Sequence, residues 1–460
     1  MPDHGAGTPP APDFGSFDRY VADHADPFVG ELVALARQPS VSATGEGVDL
    51  VGELVLARLR ALGATAGFAE SGVSHRAVIG EIGAGPRTLL LYDHYDVQPA
   101  GDPGAWSSPP WEPTRRGGTL VGRGVADDKG ELLARIQAIE AWQATRGPLP
   151  CRVRFLIEGA HEIGSPGLRE IVRENRGRLA ADACLSEGTG RDEAGNVTVN
   201  LGCRGFVSLE LRVRMRGRTL ASMYGGLLPS APLRLMEAVG SIAGPDGALL
   251  VDGAGELVQT PSAADLRMLD RIPWDEAAVR NALGVEAFAG GMSGLPLLRR
   301  YLLEHFVAVC SFTSGDPTWG LVIPGEATAQ LDIRLVPGLD PEAVVELLRK
   351  HLARRGMDDV TVTVLAGVAP DRCSPDEPAV AAAISAARDA EGRDPVVYPL
   401  MPAYSASRVF RDELGTPVLF AGAVTNARSN LHATDENIVL DEYLAYIRFV
   451  GRFLERFAAT

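Results

Sequence analysis

The sequence of 460 residues is poor in lysine and in positive charge. Lys129 and Lys350 are its only lysines, and Asp and Glu outnumber Lys and Arg by 59 to 44, giving a formal net charge of -15. This acidity argues against nonspecific binding to nucleic acid and against an anionic membrane surface. No stretch approaches the roughly 18 consecutive apolar residues that a membrane span needs. We therefore expect no nucleic-acid partner and no membrane association.

Cysteine is scarce as well. The five cysteines are an odd number without the paired spacing of a metal site, which suits buried thiols in a reducing compartment. Residues 1–16 are rich in Pro, Gly and Ala but lack the basic start and apolar core of a secretory signal. We expect these residues to form a disordered tail and the protein to be cytoplasmic.

Strand-like and helix-like runs alternate in the first part of the chain. Arg87–Tyr92 and Cys151–Ile157 have the pattern of strands, and Lys129–Thr145 and Leu168–Arg173 that of helices. This alternation predicts an α/β fold with a mostly parallel sheet flanked by helices. Further helices are predicted over Phe28–Ala36, Asp49–Leu62 and Asp441–Phe457.

The pattern changes near Gly202. Val207–Val213, Ala329–Leu335 and Val360–Val364 alternate between apolar and polar residues, as half-exposed strands do. We infer an inserted α+β domain with an antiparallel sheet. The predicted organisation is a tail at 1–16, one domain formed by 17–203 and 367–460, and the inserted domain at 204–366.

Five potential metal ligands occur in short motifs that look like strand ends or loops: His94, Asp127, Glu162, Glu187 and His432. Imidazole and carboxylate are the ligands that zinc prefers where it must keep one position open for water. A single aspartate among them suits a carboxylate that bridges two ions. Together the five residues predict a two-metal hydrolytic site.

Several longer stretches around these residues resemble the dinuclear-zinc metallopeptidase family of carnosine dipeptidases, glutamate carboxypeptidases and aminoacylases. The resemblance runs from about Asp26 to the last helix. It implies a zinc-peptidase-like three-layer domain with a mostly parallel central sheet, plus an inserted lid or dimerisation domain. It also implies a homodimer and a dipeptide-like or other small-molecule substrate. The matching stretches are His94–Pro99, Gly122–Gly130, Glu158–Ser165, Val322–Thr328 and Asp332–Pro337.

The resemblance also implies a role for each ligand. His94 and Glu187 would hold one zinc, Glu162 and His432 the other, and Asp127 would bridge them. Manganese or cobalt are possible in place of zinc, because histidine and carboxylate suit all three metals.

The residues beside the ligands include one clear departure from the family. Asp96 would hydrogen-bond the ring of His94 and fix its tautomer. Hydrolytic relatives carry a glutamate, the general base, where this chain has His161. A neutral imidazole can accept a proton near neutral pH, since its ordinary pKa is about 6.5. His161 could instead be an extra metal ligand that blocks water activation, or a structural residue.

Two further departures concern substrate and oxyanion binding. Relatives carry a histidine that reaches the partner subunit's active site, whereas Ala221 stands at the matching place here, with Tyr224 as a possible substitute. Relatives also have a Gly-Gly-Ser-type loop in place of Pro399–Ser407. Arg334 survives in its motif, and its planar fork suits a carboxylate. The candidate substrate contacts are therefore Arg334, Arg204, Tyr224, Tyr404 and Ser405.

Three hypotheses for the function follow from these residues. The first is hydrolysis of an amide C–N bond in a small carboxylate-bearing substrate, with His161 as proton shuttle. The second is a two-metal enzyme that catalyses a non-hydrolytic step of a biosynthetic pathway, namely a lyase, decarboxylation or acyl-transfer reaction. The third is a weakly active metal-binding homologue, against which retention of all five ligands speaks, because a structural zinc needs only about four.

Overall fold

The structure, a computed structural model, describes residues 13–188, 190–215, 219–316 and 318–460. The chain divides into two compact units. The first comprises residues 1–199, 378–395 and 421–460, and the second comprises residues 200–377 and 396–420.

The described residues form both helices and strands. The helices are α1 (Gly15–Asp23), α2 (Ala25–Ala36), α3 (Val48–Ala61), α4 (Lys129–Arg146), α5 (Leu168–Glu174), α6 (Arg176–Leu179), α7 (Ala231–Ile242), α8 (Ala254–Leu257), α9 (Ala263–Leu269), α10 (Glu276–Leu283), α11 (Gly294–Leu303), α12 (Pro341–Arg354), α13 (Pro378–Glu391), α14 (Arg408–Leu414) and α15 (Leu440–Ala458). The strands are β1 (Thr65–Ala69), β2 (Ala77–Ile82), β3 (Thr88–His94), β4 (Thr114–Arg116), β5 (Thr119–Val121), β6 (Arg152–Glu158), β7 (Ala183–Ser186), β8 (Thr198–Asn200), β9 (Gly202–Cys203), β10 (Gly205–Arg214), β11 (Leu220–Ala221), β12 (Phe306–Ser314), β13 (Val322–Ile323), β14 (Glu326–Leu335), β15 (Val360–Val368), β16 (Asp371–Arg372), β17 (Val396–Tyr398), β18 (Val418–Gly422) and β19 (Asn437–Val439).

Within the first unit the sheet has the strand order β1-β2-β6-β3-β7. β3 pairs in parallel with both β6 and β7, whereas β2 pairs antiparallel with β1 and β6. Leu89 to His94 of β3 are all buried, as expected for a central strand that is covered on both faces. The predicted α/β architecture is confirmed, and β6, β3 and β7 are parallel neighbours in this sheet.

The helices of the first unit pack on the sheet and on each other. α4 contacts α1, α2, α15 and β3, and α3 contacts β1 and β2. α15 presents apolar residues every three or four positions, including Tyr446, Val450 and Phe453, and this face is buried. α4 ends at Arg146, and the next residue, Gly147, has a φ of 83°, which favours glycine.

The second unit contains a four-stranded antiparallel sheet in the order β12-β14-β10-β15. Along β10, fully buried residues alternate with partly buried ones, so one face of the sheet lies in the core. Val207, Leu209, Leu331 and Ile333 belong to that core, against which α7 and α12 pack. The predicted inserted α+β part of the chain is therefore present.

The observed boundaries differ from the predicted ones in detail. Residues 396–420 belong to the second unit, although 367–460 was predicted to return to the first domain. Residues 1–12 of the predicted tail lie outside the described residues, and α1 already begins at Gly15. The roles of catalytic domain and of lid or dimerisation domain stay predictions. Of the described helices, none combines the length and the apolar character that crossing a membrane requires.

Candidate metal centre

Three of the predicted ligands lie where parallel strands end. His94 is the last residue of β3, and Glu187 directly follows β7. Glu162 lies in a short 3-10 turn, His161–Ile163, shortly after β6 ends at Glu158. Because β6, β3 and β7 are parallel neighbours, their carboxyl ends meet at one edge of the sheet. Ligand sites of α/β proteins form at this edge.

Asp127 lies between two histidines. It precedes α4 by two residues, and its Oδ1 lies 3.0 Å from Nε2 of His94. Its Oδ2 lies 3.0 Å from Nε2 of His432, a half-exposed residue whose φ of 63° is in the left-handed region. The two oxygens of one carboxylate therefore face two different imidazoles, which is the geometry that a bridging ligand needs.

Glu162 joins the same cluster from the other side. Its Oε2 lies 3.3 Å from Nε2 of His432 and accepts a hydrogen bond from Nε2 of Gln98 at 3.0 Å. Its Oε1 is buried and has no hydrogen-bond partner among the described residues. A buried carboxylate oxygen without a partner is costly unless a cation or another donor satisfies it.

Glu187 completes the cluster with His161. Nε2 of His161 lies 3.9 Å from Oε1 of Glu187, and the ring of His161 stacks on that of His94 with centroids 4.3 Å apart. Ligand atoms of His94, Asp127 and Glu162 lie within 4.8 Å of one another, as do those of His94, His161 and Glu187. The structure thus brings all five predicted ligands and His161 together in the first unit.

The electrostatics of the cluster favour positive charge. Burial alone would raise the pKa of Asp127, but His432 and His94 outweigh it and hold the pKa well below its usual range. Hydrogen bonds to Asp127 and Glu162 raise the pKa of His432 to about 10. Burial raises the pKa of Glu187. A pocket of buried carboxylates that stabilises protonated imidazoles also suits divalent cations, whose binding displaces those protons.

The side chains present therefore fit a pair of divalent cations. The donor set is imidazole and carboxylate, the bridging geometry is present at Asp127, and Glu162 offers an unpartnered buried oxygen. Zinc, manganese and cobalt all accept such donors.

His161 is held by residues that the sequence did not single out. Its Nδ1 lies 3.1 Å from the hydroxyl of Tyr92 and 3.6 Å from Oε1 of Glu158. The Tyr92 hydroxyl donates to Glu158, which also accepts a 2.7 Å hydrogen bond from Ser165. Burial and His94 lower the pKa of His161, but Glu187 and Glu158 outweigh them and raise it to about 9.

Asp96 contacts the ring of His94 through two groups, its backbone carbonyl and its carboxylate. Nδ1 of His94 lies 3.0 Å from the backbone carbonyl oxygen of Asp96 and 3.4 Å from its carboxylate. The carboxylate accepts the backbone N–H groups of His161 and Glu162 at 3.1 and 3.0 Å. The carbonyl orients the ring of His94, and the carboxylate fixes the turn that carries His161 and Glu162.

A second buried carboxylate supports Asp127. Oε1 of Glu436 accepts the N–H groups of Ala126 and Asp127 at 2.9 and 3.1 Å, and its Oε2 pairs with Arg123 at 2.6 Å. Both Glu436 and Arg123 are buried. Nothing in the sequence around Glu436 indicates this role, because its partners lie some three hundred positions away.

The predicted substrate contacts all belong to the second unit. The guanidinium of Arg334 pairs with Asp332 at 2.9 Å and lies over the ring of Phe206, with 5.7 Å between Cζ and the centroid. The partly exposed ring of Tyr404 lies 4.5 Å from that of Phe206. Arg334, Phe206 and Tyr404 thus form one cluster with a partly accessible cation.

The other predicted contacts are placed less favourably for binding a substrate. Arg204 is buried and donates to the carbonyl oxygens of Tyr301 and Glu304, which fits a structural role. Ser405 is also buried, and its hydroxyl has no hydrogen-bond partner among the described residues. Tyr224 is exposed, in a short 3-10 turn.

A cluster of carboxylates and imidazoles at the carboxyl edge of an α/β sheet, with one carboxylate placed to bridge two cations, defines a metal-dependent hydrolase. Residues 90–456 match Peptidase family M20/M25/M40. The chain belongs to this family of metallopeptidases, and it is an enzyme that acts on peptide bonds.

Individual relatives agree with this assignment. The human Beta-Ala-His dipeptidase is 28% identical over 396 residues, which cover 82% of this chain and 77% of that protein. The Cys-Gly metallodipeptidase dug1 of Schizosaccharomyces pombe is 28% identical over 292 residues, covering 60% of each chain. The crystal structure of a metallo-carboxypeptidase of the family from Sulfolobus solfataricus has a TM-score of 0.88 and 29% identity, covering 94% of this chain and 99% of that one.

Proposed function

We propose that this enzyme hydrolyses the amide C–N bond of a small, dipeptide-like substrate that bears a carboxylate, using two divalent cations. The observation that carries the proposal is Asp127, whose two oxygens each face a different histidine at 3.0 Å. Such a carboxylate is placed to bridge two ions in a hydrolytic site. The names of the relatives, dipeptidases for β-Ala-His and Cys-Gly, support a dipeptide substrate.

The ligands divide between the two cations as the resemblance implies. His94 and Glu187 would hold one ion and Glu162 and His432 the other, with Asp127 shared. The 3.3 Å approach of His432 to Glu162 supports the second pair. Two zinc ions, or manganese or cobalt in their place, would polarise the scissile carbonyl and make water a better nucleophile.

Two cations bound beside His161 would oppose the effect of Glu187 and Glu158, which raise its pKa to about 9, and would favour the neutral imidazole. His161 would then serve as the general base. The Tyr92 hydroxyl donates to Glu158, so its oxygen is left to accept a hydrogen bond from Nδ1–H of His161, 3.1 Å away. This tautomer leaves the lone pair on Nε2, the nitrogen that lies 3.9 Å from Glu187 in the ligand cluster. His161 would take a proton from the attacking water at Nε2 and return it to the leaving nitrogen.

Arg334 would bind the carboxylate of the substrate. Its planar guanidinium can bind a carboxylate through two parallel hydrogen bonds. Asp332 is its partner within the second unit, and the side chain remains partly exposed. Tyr404 and Tyr224, both exposed, are weaker candidates for substrate contacts. That the enzyme is a homodimer stays a prediction.

The proposal is tested by assaying the purified enzyme after chelation and after addition of Zn²⁺, Mn²⁺ or Co²⁺, with a panel of dipeptides and N-acyl amino acids. We expect amino acid release that depends on the added metal. Asp127→Asn should reduce kcat/KM by more than the roughly 10- to 100-fold that loss of an outer-shell partner costs. Asp26→Asn, at an exposed ion pair with Arg115, is the matched control.

Hydrolysis that survives both chelation and Asp127→Asn would contradict the proposal. Conversion of a substrate without incorporation of water would favour the hypothesis of a lyase, decarboxylation or acyl-transfer reaction. No contact among the described residues favours a non-hydrolytic step or a weakly active homologue over hydrolysis.

A further inference from the structure

We propose that Arg135 and Glu131, two buried residues of α4, are positioning residues that hold Glu187 in place as a cation ligand. Neither belongs to the ligand cluster, and neither was singled out in the sequence. The inference rests on the proposed two-cation site and concerns how this chain places one of its ligands.

Arg135 links the ends of the two strands that carry His94 and Glu187. Its side chain is fully buried. Nη1 donates to the carbonyl oxygen of Tyr92 at 3.0 Å, near the end of β3, and to that of Leu185 at 3.1 Å, in β7. Nη2 donates to the carbonyl oxygen of Ser186 at 2.9 Å, immediately before Glu187. One guanidinium therefore fixes the spacing between the two strand ends.

Glu131 holds the chain on the other side of Glu187. Its Oε2 accepts the N–H of Gly188 at 3.2 Å, and its Oε1 pairs with Nη2 of Arg135. The hydroxyl of Tyr446 donates to Glu131 at 2.8 Å and accepts Nε–H of Arg135 at 2.9 Å. Tyr446 therefore bridges Glu131 and Arg135. Nη1 of Arg135 also pairs with the buried carboxylate of Asp93 at 2.9 Å.

The result is a fixed backbone on both sides of the ligand. The N–H of Glu187 donates to the carbonyl oxygen of Tyr92 at 2.9 Å, the same oxygen that accepts from Arg135. The backbone is therefore bound at each of the four positions from Leu185 to Gly188. The carboxylate of Glu187 is left to face the ligand cluster.

The position of the pair in α4 adds a geometric consequence. This helix begins two residues after Asp127, so the proposed bridging ligand lies in the segment that leads into α4. Glu131 and Arg135, which hold the backbone around Glu187, follow in the first two turns of the same helix. Outer-shell contacts of this kind orient metal ligands and tune their affinity.

The test uses Arg135→Lys, whose single ammonium cannot reach both strand ends, and Glu131→Gln, which keeps the shape of the side chain but removes its charge. Calorimetric titration with Zn²⁺ and the visible absorption of Co²⁺ measure binding of each ion. We expect one binding event to weaken about 10- to 100-fold and the other to change by less than about threefold. The Co²⁺ spectrum should change for the weakened site only.

Arg452→Lys is the matched control, because Arg452 is another buried arginine of the first unit and pairs with Asp18 of α1 through two hydrogen bonds. It should leave both cation affinities and the Co²⁺ spectrum unchanged. Thermal unfolding in excess chelator separates the effect on folding from the effect on the ligand. If Arg135→Lys does not fold, Glu131→Gln decides alone.

Variants that lower the unfolding temperature in chelator but bind both ions with wild-type affinity would overturn the inference and assign the pair a structural role only. A wild-type enzyme that binds no divalent cation would overturn the proposed function as well. A wild type that binds two ions and hydrolyses dipeptides, beside variants with unchanged affinities, overturns this inference alone.

Discussion

At the scale of single residues, a histidine base at position 161 would control its proton differently from the glutamate base that the family resemblance predicts there. A carboxylate base offers two equivalent oxygens, whereas an imidazole must expose one defined nitrogen. In this structure Tyr92 and Glu158 bind Nδ1, which leaves Nε2 facing the ligand cluster. The same arrangement would serve a metal-ligating histidine, since ligating imidazoles also donate through their second nitrogen.

Substitution of His161 separates the two roles. If His161 is the base, His161→Ala should lower kcat by about 10²- to 10⁴-fold, while the affinity for each cation changes by less than about threefold. His161→Gln is the control for volume and should lose the same activity. His161→Glu introduces the glutamate that the family resemblance predicts as the base and should retain hydrolysis. Steady-state kinetics with excess metal and calorimetric titration measure the two quantities.

A cation affinity that falls at least tenfold in His161→Ala would instead assign His161 as a ligand. Activity that appears only in His161→Glu would show that the native enzyme does not hydrolyse these substrates.

The role of a residue in the site could be predicted from the sequence only where the residue lies in a recognisable short motif. The five proposed ligands and His161 lie in such motifs, and the structure brings them together. The supporting residues Tyr92, Glu158 and Glu436 could not be assigned roles, because their contacts join segments far apart in the chain. Asp96 shows a further limit, since spacing indicated its proximity to His94 but not that its carbonyl would make the contact.

At the scale of elements, the start of α4 is the most tightly constrained segment near the cluster. A Cβ added at Gly130 would lie 2.1 Å from the carbonyl oxygen of Val125. Contact at that distance forces the backbone to shift, because a carbonyl cannot move as a flexible side chain can. The shift would fall between Val125 and α4, the segment that contains Asp127.

We expect Gly130→Ala to lower the free energy of unfolding by about 1–3 kcal/mol or more. It should also weaken cation binding, because Asp127 moves with the segment. Gly30→Ala in α2 is the control: an added Cβ there meets nothing within 4 Å, and the change should stabilise by about 0.4–1 kcal/mol. Denaturant unfolding and metal titration measure both effects. Unchanged cation affinity in a destabilised Gly130→Ala would mean that the segment absorbs the shift without moving Asp127.

The bounds of helices and strands with strong hydrophobic periodicity could be predicted closely from the sequence. The partners of each strand in the sheets could not be predicted. The pattern over Val207–Val213 lies within β10, and that over Lys129–Thr145 matches α4 to one residue. Periodicity does not state which strands pair, so the antiparallel partners β1 and β2 of the first sheet were not foreseen. β15 also runs on to Val368, four residues beyond its alternating segment and two beyond the predicted end of the inserted domain at residue 366.

At the scale of the whole molecule, the chain divides so that every proposed cation ligand belongs to the first unit. The return of residues 396–420 to the second unit could not be predicted, because it depends on tertiary contacts that leave no periodic signal in the sequence. The antiparallel sheet of the second unit has its own buried core of Val207, Leu209, Leu331 and Ile333. Stabilisation by cations should therefore be confined to one unit.

Hydrogen–deuterium exchange with and without Zn²⁺ measures directly which unit the cations stabilise. A ligand at a hundred times its Kd stabilises the structure that binds it by about 2.7 kcal/mol. We expect slower exchange in the segments that hold the ligands, and unchanged exchange in β10 and β14 of the second unit. Asp127→Asn should abolish the difference. Protection by Zn²⁺ that appears only in β10 and β14 would place the cations outside the first unit and contradict the assignment of all five ligands: His94, Asp127, Glu162, Glu187 and His432.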